Sequence, residues 1–193
     1  TGSPKVLKQT ITGLIENGFK IDLITSNTAG FLTKIKGVNY YYNGYWWSNN
    51  KIIALLNYIL AQIRIFILVL IIKTNKHTIL YSNTLIPFGA VFAAKLKKIQ
   101  VLYHIHEFYV KGGILSGIYS FFYNHCANKT IFVSNFLAEK FRKSRSYKVI
   151  YNSLDPEFVE IANDYFRCNN QNGKTVLLVS SLKYYKGIFQ FVE

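Results

Sequence analysis

The sequence predicts an α/β fold, a Rossmann-like open parallel sheet with helices on both faces. Short β-type runs alternate with helix-period stretches along most of the chain. Two of those runs, Val101-Leu102-Tyr103-His104-Ile105-His106-Glu107 and Asn128-Lys129-Thr130-Ile131-Phe132-Val133-Ser134, are apolar and end in polar side chains. Strands of a parallel sheet do this where their carboxyl ends border a ligand crevice. Half of the 193 residues are hydrophobic and 17% are aromatic, which excludes a disordered chain and supplies a core for one domain plus the start of another.

The first helix is expected from Ser3 as N-cap and Pro4 at the first helical position, with Val6, Leu7, Ile11, Leu14 and Ile15 on one stripe and Asn17-Gly18 as its stop. Ile21-Asp22-Leu23-Ile24-Thr25 reads as a strand, so the chain opens in the middle of a βαβ unit whose first strand is absent. The sequence holds no methionine, which also suggests a piece of something larger. A second strand is expected over 38–42 and an Asn-, Gly- and aromatic-rich loop over 43–50.

In residues 52–72, 18 of 21 positions are apolar, with Asn57, Gln62 and Arg64 the interruptions. The length suits a membrane span, but a central Arg costs about 2.5 to 3.5 kcal/mol on insertion scales. A helix buried in an α/β domain or lying at a membrane surface fits the same pattern. The flanking α/β rhythm favours the non-spanning readings.

A strand over 78–81, a helix over 87–98 with Lys95, Lys97 and Lys98 in its last turn, and a strand over 101–104 follow. After a loop at 107–113 come a helix over 114–126 and a strand over 131–133. Ser134 then caps a helix with Phe136, Leu137 and Phe141 towards the core, and a strand covers 147–151. The polar stretch 163–174 is the expected boundary. It divides a domain at 1–162, lacking its first strand, from a segment at 175–193 that holds the first strand and turn of a second, truncated domain.

The net charge is +14 and uneven. Up to Lys98, twelve Lys and Arg face two acids; beyond it, eleven face seven. That field favours anionic partners such as lipid phosphates or a nucleotide sugar, or serves only solubility. Neither a basic stripe nor a known module argues for nucleic acid. Two cysteines, Cys126 and Cys168, make no disulfide framework, and a reducing cytoplasm is the simplest compartment.

His104 and His106 lie two apart on a strand and so share a face, with Glu107 on the other. A zinc site needs a third protein ligand, and neither His77 nor His125 has helpful spacing, so no metal is expected. Without wider context the pair reads as hydrogen-bonded structural histidines. The absence of G-x-G-x-x-G argues against a nicotinamide enzyme.

Taken in order, the segments ending at His106-Glu107 and Ser134, the turn Asn152-Ser153-Leu154-Asp155, and Val179-Ser180-Ser181-Leu182-Lys183-Tyr184-Tyr185-Lys186-Gly187 resemble the family-4 glycosyltransferases of the GT-B fold. The resemblance spans nearly the whole chain, and its strength lies in the order of short motifs. It implies an acceptor-side amino-terminal domain, with His106 contacting the donor sugar and Glu107 beside it. A histidine held at a rigid strand end can hydrogen-bond the sugar as charge develops at the anomeric carbon, without acting as a nucleophile. His104, one step deeper, then supports it.

The resemblance further implies that Gly2 and Ser3 sit at a glycine-rich turn where phosphates approach backbone, although an ordinary cap explains them equally. Ser134 matches the family's strand-to-helix serine, a role compatible with a simple N-cap. Lys186 and Gly187 match the turn that grips the donor diphosphate. Ser181 stands where that turn has an arginine, so Lys183 is the residue that would compensate. Ser153 likewise replaces a glycine in the Asn152 to Asp155 turn, for which a structural role is the safer one.

The implied reaction is retaining, metal-independent and without a cofactor. A sugar passes from a nucleotide sugar to a saccharide or lipid-linked acceptor in cell-surface polysaccharide assembly. The expected setting is the cytoplasmic face of the inner membrane, with peripheral contact, and the piece alone lacks most donor contacts. The alternative is a non-catalytic membrane-associated or membrane-spanning α/β protein, favoured by residues 52–72 and disfavoured by the alternation around them.

Overall fold

The computed structural model describes residues 2–26, 30–107, 113–141, 146–154 and 156–168. In chain order the elements are α1 (Gly2–Glu16), β1 (Ile21–Thr25), β2 (Val38–Tyr42), α2 (Lys51–Ile71), β3 (Ile79–Ser82), α3 (Phe88–Leu96), β4 (Gln100–Ile105), α4 (Ile114–Cys126), β5 (Lys129–Phe132), α5 (Asn135–Lys140), β6 (Tyr147–Val149) and α6 (Pro156–Cys168). Every strand pairing among the described residues is parallel, so the fold is α/β and Rossmann-like as the alternation predicts. β1 pairs with β2, and a separate four-stranded sheet runs β3-β4-β5-β6. Ile24 of β1 and Leu80 of β3 nevertheless pack on one apolar cluster under α2 and α3, built on Ile65, Val69, Ala90 and Ala93.

The alternation of β4 serves both faces of its sheet. Val101, Tyr103 and Ile105 enter the main core with Val91 and Ala94 of α3, Tyr123 and Cys126 of α4, and Phe132 of β5. His104 belongs to the opposite face, where Tyr81 of β3 bonds both it and Thr10 of α1. Helices therefore cover both faces, and the histidine pair lies on the α1 side.

Local sequence explains most element ends. α1 stops in a Schellman turn: Gly18 N–H donates to Ile15 O (2.9 Å), Phe19 N–H donates to Leu14 O (3.0 Å), and Gly18 takes φ 81°. Asn50 caps α2 by accepting from Ile52 N and Ile53 N, and Ser134 caps α5 by accepting from Leu137 N at 3.3 Å.

Three expectations need correction. α1 begins at Gly2, which puts Ser3 inside its first turn instead of at the N-cap, and the serine hydroxyl accepts from Asn83. Pro4 is tolerated there, since first-turn N–H groups have no intrahelical partner. On α5, Phe136 is 61% exposed; Ala138 takes the inward position beside Leu137. Residues 163–168, expected as the start of a polar linker, are the last turns of helix α6.

The chain separates into two compact units, Thr1–Ser153 and Leu154–Glu193. All six strands and helices α1 to α5 belong to the first. Of the second, only α6 and Leu154 are described; the expected linker beyond 168 and the strand and turn at 175–193 lie outside the described residues.

Candidate functional site at the carboxyl ends of β3 and β4

β3 and β4 run side by side in register, Ser82 opposite Tyr103, so the residues that follow them emerge at one sheet edge. Parallel strands deliver their successors to the same end, which is where open α/β sheets place ligands. After β3 the turn is self-bonded: Ser82 Oγ donates to Thr84 O (2.8 Å) and Ile86 N–H donates to Thr84 Oγ1 (2.9 Å). That fixes Asn83 between them.

Asn83 joins three elements. Its Nδ2 donates to Ser3 Oγ at 2.7 Å, which leaves Oδ1 as the acceptor facing His106 Nε2 at 3.1 Å. With the amide set this way, His106 carries its proton on Nε2 and donates it to Asn83. Ser3, Asn83, Thr84, Leu85, Ile105, His106 and Glu107 line one crevice. Its volume of about 20 Å³ admits a water molecule, not a hexose, so a sugar would rest across its mouth.

Two imidazoles sit behind that mouth, with the His104 and His106 ring centroids 4.1 Å apart. His104 is 6% exposed, and burial, with His106 adding to it, pulls its pKa down to about 4. Burial also lowers His106, opposed by the Glu107 carboxylate. Both are neutral at pH 7, which makes His106 an uncharged donor suited to a sugar hydroxyl. His104 Nδ1 is hydrogen-bonded to the Tyr81 hydroxyl, while its Nε2 has no hydrogen-bond partner among the described residues.

Of the residues singled out from sequence, the fold brings Ser3, His106 and Glu107 together. Gly2 opens α1 next to Ser3 and is exposed. Ser134 ends β5 as the cap of α5 and does not line the crevice. Lys183, Lys186 and Gly187 lie outside the described residues. No group of three or more His, Cys, Asp or Glu among the described residues is arranged to hold a metal. Sequence reasoning missed Asn83; the available signal was its place directly after the apolar run of β3, the same signal that picked out His106.

None of the curated proteins or solved structures compared with the chain matches it. The family model of Glycosyltransferase Family 4 does match, over residues 1–158. That span contains all six strands, α1 to α5, and every residue of the crevice. The match covers well over half of the 193 residues, and the chain belongs to glycosyltransferase family 4.

Proposed function

We propose that the chain is the acceptor-side part of a retaining glycosyltransferase, which moves a sugar from a nucleotide sugar to a saccharide or lipid-linked acceptor in cell-surface polysaccharide synthesis. Membership of the family carries glycosyl transfer in general. The observation that supports the finer reading is His106, held at the end of β4 as an Nε2–H donor by an asparagine that is itself tied to the start of α1.

When a sugar occupies the mouth of the crevice, His106 exchanges its bond to Asn83 for one to a sugar hydroxyl or to the carbonyl-like oxygen of a substituent. The donor is positioned before charge develops at the anomeric carbon, so little reorganisation is needed. Ser3 and Gly2, at the amino end of α1, supply a positive helix terminus near the phosphates. Glu107 keeps the imidazole from losing all basicity. Ser134 is assigned a lesser, substrate-side role. Lys183, Lys186 and Gly187 are assigned to the donor diphosphate, and neither metal nor cofactor takes part. The setting is the cytoplasmic face of the membrane, in peripheral contact, a reading supported by the +14 charge.

The test uses an enzyme carrying this domain and a complete donor-binding domain, supplied with nucleotide sugars and an acceptor. Retention of anomeric configuration in the product, read by NMR, is expected; inversion removes the retaining assignment. His106→Ala should lower kcat by about two to three orders of magnitude, as loss of a preorganised donor does elsewhere, with the melting transition kept. Full activity in that variant would take His106 out of the site.

A further inference from the structure

α2 inverts the usual surface helix. A helix on the outside of a soluble domain turns its apolar stripe inwards and its polar residues to water. Here the polar residues are held by the protein: Gln62 Oε1 accepts from Gly89 N–H at 3.0 Å, Asn57 Nδ2 donates to Trp46 O at 3.4 Å, and the Arg64 guanidinium donates to Asn43 O and Gly44 O. Gln62 and Asn57 are buried. Facing outward at helical spacing are Ile52, Leu56, Ile59, Ile63, Ile67 and Leu70, each between 38% and 72% exposed. Such a continuous apolar face is a contact surface.

Charge selects what it contacts. From residue 23 to residue 106 the chain carries nine Lys and Arg and no carboxylate. Exposed lysines stand at both ends of the helix, Lys51 and Lys73. A second copy would bring an equal positive field against the same face, which opposes self-association. An anionic lipid surface is complementary to both the apolar face and its basic surround. Trp46 and Trp47, 55% and 73% exposed, precede the helix, and indole rings favour the interface between headgroup and acyl chain.

The same contacts argue against a span, although α2 is long and apolar enough for one. Gly89 of α3 approaches so closely that an added Cβ would lie 2.2 Å from Gln62 O. The Lys97 ammonium donates to the carbonyls of Val69, Leu70 and Ile72 at the end of the helix. Crossing the bilayer would strip these bonds or drag the α/β layer into lipid.

We propose that the outer face of α2 is a membrane-docking surface: the helix lies flat in the interface of an anionic bilayer, with Ile52, Leu56, Ile59, Ile63, Ile67 and Leu70 against the acyl chains. This deepens the peripheral setting proposed above, but its test needs no sugar transfer, so either can fail alone.

The 193-residue chain is mixed with vesicles of phosphatidylcholine alone or with 30% phosphatidylglycerol (about 7:3, enough to set a negative surface potential). Binding is read by co-sedimentation and by the fluorescence of Trp46 and Trp47, the two tryptophans of the chain. Roughly tenfold tighter binding to the anionic vesicles, with a blue shift and weakening at high salt, is expected. Ile63→Glu should weaken binding roughly tenfold or more while the thermal transition persists. If that variant does not fold, Ile63→Gln serves the same comparison. Failure to bind anionic vesicles, recovery only with detergent, or a dimer in sedimentation that Ile63→Glu dissociates would each overturn the proposal.

Discussion

β4 and α2 each carry polar side chains into the interior and provide for them in opposite ways. In α2 the buried Gln62 and Asn57 both have partners, Gly89 N–H and Trp46 O. In β4 the fully buried Tyr103 and nearly buried His104 leave Tyr103 Oη and His104 Nε2 without a hydrogen-bond partner among the described residues. An unpaired buried polar atom costs about 1 to 3 kcal/mol. The helix thus spends its polar groups on fixing its position, whereas the strand keeps an unmet one directly behind the crevice. Polar burial that is satisfied reads as architecture; polar burial left open beside a cleft reads as chemistry.

Acid should expose that difference most. His104 is held neutral with a pKa near 4, against 6.5 for a free histidine. Its stabilising contribution is complete above about pH 6.5, and it is lost as pH falls towards 4, because only the unfolded chain takes up the proton in that window. The gap corresponds to about 3 kcal/mol. Denaturant titrations at pH 7 and pH 4.5 should show the wild type losing most of this amount relative to His104→Leu. Equal losses in the two proteins would mean that His104 is no more penalised by protonation than a solvated histidine, and the contrast with α2 would collapse.

Gln62→Leu probes the satisfied side. It leaves Gly89 N–H buried without its acceptor, at a cost of about 2 kcal/mol, seen as a fall of roughly 5 °C in melting temperature. Asn57→Leu removes a longer, weaker bond and should cost under about 1 kcal/mol. Neither should have a pH-dependent component, since neither group titrates. A pH-dependent loss in Gln62→Leu would show that the helix is coupled to the histidine pair after all.

The architecture was legible because the two hydrophobic periods differ: β1, β2 and α4 have the extents expected from sequence, and most other elements shift by one to three residues. Residues 163–168 read as linker because Asn163 and Asp164 suggest one, although Pro156 and Glu157 already supply the start of a helix that runs through them. Phe136 was placed inward because apolar character was allowed to outweigh helical phase, and Ala138 is the residue at the buried angle. His106 could be found from its place on a strand end. Its partnership with Asn83 could not, because it depends on two strands 23 positions apart lying in register. The direction of the polar groups on α2 was hidden too, since composition gives the amount of apolar surface and only packing gives its side.

Asn83 offers the finest test, because it sits where the unmet polarity of β4 meets solvent. Asn83→Asp keeps the shape of the side chain and puts a carboxylate in place of an amide whose oxygen is 3.1 Å from His106 Nε2. Burial now lowers the imidazole, and an adjacent negative charge favours its protonated form. The pKa of His106 should therefore rise by about one unit, or roughly 1.4 kcal/mol, measured from the ring-proton shifts of the four histidines against pH. A rise in His106 would tie Asn83 to it electrostatically, while an unmoved His106 would show that the amide bond does not set its protonation.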